Sequence, residues 1–192
     1  MSNLIDPDDS VLVIIDVQAD FLARVEPPAQ VGLIERIAFL VASARFCGIP
    51  VIASVESPEV WGGLHPVLAD AVGDAPVLRK AVFGLADDPV VGPAVRDTGR
   101  RTAVLVGLET DVCVAHSALG LLDEGFRVVS VEDAVASPGS RAHTAGLERM
   151  RRAGAIPVVT KQLHYEWMRS VERSRAFRAA NPDFADPPGV LL

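Results

Sequence analysis

The apolar positions change their period several times along the chain, and each change marks an element. Val11-Leu12-Val13-Ile14-Ile15 is a continuous apolar run closed by Asp16. Such a run reads as a strand buried on both faces, with a carboxylate at its C-terminal end. From Val31 to Phe46 the spacing of Ile34, Ile37, Leu40 and Val41 is helical, and Gly48 and Pro50 stop it. Pro50 to Ser54 reads as a second strand, and Glu56 to Gly63, with its Pro, Trp and Gly, as a loop. Val77-Leu78 opens a minor strand that runs into Arg79 and Lys80. Further strands are expected at Thr102 to Val106, at Phe126 to Val131 (ending at Glu132 and Asp133) and at Ile156 to Val159. Helices are expected at Asp88 to Thr98, Asp111 to Leu122, Ser140 to Arg152 and Lys161 to Arg173.

Strands that alternate with helices imply right-handed βαβ units and a parallel sheet. The expected fold is therefore α/β, a three-layer α-β-α sandwich around a mainly parallel sheet of five or six strands. One domain is expected over residues 1–175. Residues 176–192, with Pro182, Pro187 and Pro188, show no periodicity and read as a disordered tail or an arm that docks on a neighbouring subunit. The apolar end Val190-Leu191-Leu192 favours docking.

Composition narrows the class. With 49% apolar and 5% aromatic residues among 192, the core is aliphatic. A formal charge of −7 and no basic block make nucleic acid and anionic membranes poor partners. The acidic start Met1 to Ser10 does not read as a signal peptide, and no apolar run reaches the roughly 18 residues of a span. Two cysteines, Cys47 and Cys113, are too few for a disulfide framework, so a cytoplasmic protein is expected. Cys47 reads as a buried residue at a helix end.

In a parallel sheet, ligands bind at the carboxyl ends of the strands. Asp16, Lys80 and Cys113 all fall at or just past such ends. Each has an ordinary structural reading, but the convergence of the three suggests chemistry. Cys113 falls at the expected start of a helix, where free N–H groups and the helix dipole favour thiolate. Lys80 would support that thiolate and keep Asp16 ionised, while Asp16 would move the proton from thiol to leaving group. Attack on a carbonyl would then give a thioester for water to hydrolyse.

Asp16-Val17-Gln18-Ala19-Asp20-Phe21 resembles the D-x-Q-x-D-F opening of isochorismatase-like cysteine hydrolases. Gly107-Leu108-Glu109-Thr110-Asp111-Val112-Cys113-Val114 resembles their G-x-x-T-D-x-C-V nucleophile loop, and Lys80 falls where that family carries its lysine. The resemblance spans Val11 to Arg169 and implies a catalytic triad of Asp16, Lys80 and Cys113. It also implies a cis peptide at Leu108–Glu109, an oxyanion hole from the backbone N–H groups of Glu109 and Cys113, and a homo-oligomer. Nicotinamidases of the family place an Asp-x-His pair and further histidines after the second strand, where this chain has Ser54-Val55-Glu56-Ser57-Pro58 and nearby His65. No metal and no cofactor are therefore expected.

The expected activity is cleavage of a C–N bond in a small amide, ureido or related acyl substrate. The alternatives are a non-catalytic oligomeric scaffold, a hydrolase acting on an isochorismate-like ether, and a redox role for Cys113. Phe21, Trp61 and Phe83 flank the candidate site as pocket walls, with core packing an equal alternative for Phe21 and Phe83. Glu56 could address a polar substrate group, but reads more readily as a solvated loop carboxylate. His116 reads as a packing residue more than as a Cys–His partner, and His164, Tyr165 and Trp167 as packing or interface residues.

Overall fold

Six strands form a single parallel sheet in the computed structural model, which describes residues 3–184 and 186–188. The first half of the chain runs β1 (Ser10–Ile15), α1 (Ala19–Leu22), α2 (Pro27–Phe46), β2 (Val51–Glu56), α3 (Pro58–Trp61), α4 (Pro66–Val72), β3 (Val77–Lys80) and α5 (Val91–Asp97). The second half begins with β4 (Thr102–Leu108) and a π-helical turn (Thr110–Val114) that leads into α6 (Ala115–Asp123). It continues with β5 (Arg127–Ala136), α7 (Ser140–Ala153), β6 (Ile156–Val158), α8 (Thr160–Met168) and α9 (Val171–Ala180). The strand order β3-β2-β1-β4-β5-β6 reverses direction between β1 and β4. That switch point opens a crevice at the carboxyl ends of these two strands.

Strand alternation explains the three layers, because successive side chains leave opposite faces of the sheet. Leu12 and Ile14 pack with Ile37 and Leu40 of α2, Leu68 of α4, and Leu163 and Trp167 of α8. Val11, Val13 and Ile15 pack with Val95 of α5, Ala118 and Leu121 of α6, and Leu147 and Met150 of α7. Every residue of β1 is buried, as its unbroken apolar run requires.

Three expectations change. The last expected helix, Lys161 to Arg173, is two helices. Arg169 turns left-handed (φ 65°), and the Ser170 hydroxyl then accepts the Arg173 N–H (3.1 Å) to start α9. Helix α9 runs across the expected boundary at 175/176. Phe177 is buried there against Phe39 and Met168, with ring centroids 5.6 Å from both Phe39 and Phe46. Val190-Leu191-Leu192 lies outside the described residues. Strand β5 continues past Glu132 and Asp133 to Ala136, because the register shifts and pairing resumes at Gly107 with Val135 and Leu108 with Ala136. The two carboxylates that read as a strand end instead hold flanking helices. Glu132 takes Arg151 of α7 (2.6 Å), and Asp133 accepts the Thr160 N–H (2.7 Å) at the start of α8.

Phe177→Ala should cost about 3–5 kcal/mol, and thermal unfolding should show Tm lower by roughly 6–20 °C. An unchanged Tm would mean that the chain past residue 175 adds nothing to the fold.

Candidate active site

Strand β1 delivers Asp16 into the crevice by a sharp turn. Asp16 adopts φ 50°, a conformation that aspartate tolerates better than most residues. Its N–H bonds to the Ser54 carbonyl (3.1 Å), and its carbonyl accepts the Gln18 N–H (2.9 Å). The carboxylate is buried, and Oδ1 accepts a hydrogen bond from the Ser54 hydroxyl (2.9 Å). Gln18, also buried, holds the end of β2. Its side chain accepts from the Glu56 N–H (2.7 Å) and donates to the carbonyls of Glu56 (2.9 Å) and Gly62 (2.6 Å).

Parallel pairing aligns Glu56 with Lys80 at the ends of β2 and β3. The fully buried Lys80 ammonium lies 2.6 Å from Asp16 Oδ2, 3.4 Å from Glu56 Oε2 and 3.5 Å from Cys113 Sγ, and it donates to the Val82 carbonyl (3.0 Å). Asp88 steadies the chain after β3 by accepting the Ala81 N–H (3.3 Å) and, at the start of α5, the Val90 and Val91 N–H groups (2.9 Å each).

Cys113 comes from the turn after β4. Gly107 has φ 118°, and a Cβ there would lie 2.1 Å from the Ile15 carbonyl oxygen, so only glycine lets β4 pass this close to the turn at Asp16. The Leu108–Glu109 peptide is cis. The π-helical turn is anchored by Thr110 Oγ1 on His143 Nδ1 (2.9 Å) and by the Ser137 hydroxyl on Asp111 (2.6 Å). Gly146 of α7 lies so near Asp111 and Thr110 that a Cβ would come within 2.7 Å of the Asp111 Cα. Cys113 is buried, its Sγ lies 3.5 Å from Glu56 Oε2, and one oxygen each from Asp16 and Glu56 lies with Sγ inside a 4.8 Å cluster.

These positions decide the charges. Burial pushes the Cys113 thiol well above the usual range, and the Asp16 and Glu56 carboxylates push it further than Lys80 pulls it back. This reverses the expectation of a preformed thiolate: ionising Sγ would set three anions around one ammonium. Burial also raises the Asp16 carboxyl, with Lys80 opposing. For Lys80, burial favours the neutral amine, but Asp16, Cys113 and Glu56 together outweigh it and hold the ammonium above its ordinary value. These directions favour a thiol at Cys113 and an ammonium at Lys80, with Asp16 a stronger base than an ordinary carboxylate. Asp16, Glu56 and Cys113 are also the donor types of a metal site, but the Lys80 ammonium stands among all three where a cation would sit. His65 lies elsewhere, on a groove of about 560 Å³ beside α2 that carries no nucleophile.

A cavity of about 240 Å³ opens over the sulfur, lined by Phe21, Arg24, Glu56, Trp61, Phe83, Leu108, Glu109, Val112 and Cys113. Phe21 and Trp61 meet at 5.4 Å between ring centroids. Trp61 ends the short helix α3, not a loop, and Phe83, half exposed, packs edge-on against the exposed His116 (5.8 Å). His164 and Trp167 are buried in the fold, and Tyr165 lies beside His164 (5.1 Å). Cys47 is half-buried at the end of α2. Of two further site residues, the sequence offers Glu56 as a possible contact for a polar substrate group but favours a solvated loop position, and it assigns no role to Gln18. Glu56 belongs to β2, two residues past its expected end and on the same face as Ser54. Gln18 lies in the opening motif, but its role depends on a backbone distant in sequence.

A parallel α/β sheet thus gathers a thiol, an ammonium and carboxylates at its switch point, where folds of this class bind ligands. The Isochorismatase domain matches residues 10–162, and the chain belongs to the isochorismatase family. It is a hydrolase of that family. The chain is 28% identical over 179 residues to Isochorismatase family protein 2B of Dictyostelium discoideum, covering 88% of this chain and 81% of that protein. The structure of YcaC from Pseudomonas aeruginosa with hexane-2,5-diol and covalent acrylamide superposes with a TM-score of 0.83 at 27% identity, covering 96% and 95% of the two chains. YcaC of Escherichia coli, described as an octameric hydrolase of unknown specificity, gives 0.82 at 25% identity, with 96% and 94% covered.

Cys113 should alkylate with a midpoint above the ~8.5 of a free thiol. Asp16→Asn and Glu56→Gln should each lower that midpoint, and Lys80→Met should raise it. Peptide mapping after pulsed alkylation across pH separates Cys113 from Cys47. A wild-type midpoint below that of a free thiol would contradict the charge balance described.

Proposed function

We propose that this hydrolase is a cofactor-free cysteine amidohydrolase acting on a small amide, ureido or related acyl compound. The observation that carries the reading is the Lys80 ammonium set between Asp16 (2.6 Å) and Cys113 Sγ (3.5 Å) beneath a cavity of ligand size. As Sγ attacks the carbonyl carbon, Asp16 takes the thiol proton and Lys80 offsets the charge growing on sulfur. The N–H groups of Glu109 and Cys113 hold the oxyanion, and each such donor is typically worth about 2.7–4 kcal/mol in the transition state. Asp16 returns the proton to the leaving nitrogen, the C–N bond breaks, and a thioester remains. Water then adds to the thioester with Asp16 as base, releasing the acid and restoring the thiol.

Covalent acrylamide in the P. aeruginosa relative supports the reading, since acrylamide is a small electrophile carrying a primary amide. Phe21, Trp61 and Phe83 serve as apolar walls for the substrate. In this reading the protein works as a homo-oligomer, as the octameric E. coli relative does. Exposed Val82 and Phe83 beside the site are then available to a neighbouring copy.

A panel of primary amides and ureides, followed by ammonia release, tests the proposal. Cys113→Ala should abolish turnover, and Asp16→Asn should lower kcat by about 10²–10⁴-fold. Turnover that survives Cys113→Ala would overturn the mechanism.

A further inference from the structure

The cavity over the sulfur is unbalanced in charge, and one residue accounts for the imbalance. Asp16 and Lys80 pair with each other at 2.6 Å. At the cavity mouth Arg24 lies over the rings of Phe21 (5.4 Å) and Trp61 (5.1 Å). Its charge offsets Glu109, whose carboxyl is raised by burial and by Asp111 and Glu56. Glu56 is left over. Its Oε2 lies 3.5 Å from the reacting sulfur, its side chain is only 17% exposed, and Gln18 clamps its backbone on both the N–H and the carbonyl side. Its backbone is thus fixed at the end of β2, and its carboxylate is drawn toward the site by Lys80.

A substrate carbonyl seated on Sγ brings its substituents within a few ångströms of that oxygen. An N–H donor there gains a charge-assisted hydrogen bond. A carboxylate in the same place meets a like charge in a poorly solvated cavity, the arrangement that excludes wrong partners. We propose that Glu56 is the specificity-determining residue of this site, accepting an N–H of a neutral primary amide or ureide and excluding substrates with a carboxylate next to the scissile carbonyl. This rests on the cysteine-hydrolase reading of the same cavity.

Two reagents of nearly equal size test it without a known substrate. Iodoacetamide is neutral and iodoacetate is an anion, and both consume the same thiolate. The ratio of their rates is therefore independent of how far the thiol is ionised. The rates would be measured by intact mass in a Cys47→Ser background, with glutathione as the unbiased thiol. Cys113 should prefer iodoacetamide over iodoacetate by about tenfold or more beyond the glutathione ratio, within the range of electrostatic focusing in a cleft. Glu56→Gln should bring the ratio close to that of glutathione, and Glu56→Asp, which keeps the charge, should retain most of the preference. A wild-type ratio equal to that of glutathione, or one unchanged by Glu56→Gln in a variant with wild-type circular dichroism, would overturn the proposal. Cys113 unreactive toward both reagents would remove the nucleophile, and the selectivity proposal would fall with it.

Discussion

The Lys80–Asp16 ion pair, 2.6 Å long and removed from water, is the constraint on which the rest of the site depends. Taking two ions out of water costs several kcal/mol each, and their attraction repays it only when the remaining lone pairs and protons are also met. Here neighbouring strand ends meet them in part, while Asp16 Oδ2 has only the Lys80 ammonium. Ser54 of β2 bonds Asp16 at the end of β1, and the Val82 carbonyl just past β3 receives Lys80. The parallel register sets these ends side by side, pairing Ile15 with Ser54 and Glu56 with Lys80. A buried ion pair adds little to stability beyond what an apolar pair of the same volume gives. Its place at the crevice, with perturbed ionisation, is the mark of a functional site.

The same pair decides how the nucleophile works. Lys80 already faces two carboxylates, so a thiolate would be the third anion around one ammonium. In the proposed mechanism the sulfur is protonated until a carbonyl arrives, and its proton needs a base within reach. Asp16 fits that task because burial raises its carboxyl, with the Lys80 ammonium opposing. In that reading activation is coupled to substrate binding.

Much of this was legible in the sequence because the signals are local. The apolar run Val11 to Ile15, the glycine closing a strand before Cys113, and the spacing of the opening and nucleophile-loop motifs place Asp16, Lys80 and Cys113 at strand ends without any coordinates. The ionisation of Cys113 was not legible, since it depends on Glu56 from another strand and on burial by the whole fold. Helix α9 was hidden because its hold on the core is chiefly one aromatic, Phe177, in a polar segment. Helix α4 likewise offers only Leu68 and Val72 as buried anchors. The extension of β5 was hidden by a register shift that sends Glu132 and Asp133 outward to partners on helices.

The most direct test of the central claim is hydroxylamine partitioning during turnover of an amide and of an ester that share one acyl group. A thioester on Cys113 is common to both, so hydroxamate and acid should form in the same ratio from either substrate, rising with hydroxylamine concentration. A ratio that depends on the leaving group, or acid formed with no hydroxamate at any concentration, would contradict an acyl-enzyme and with it the account of Cys113.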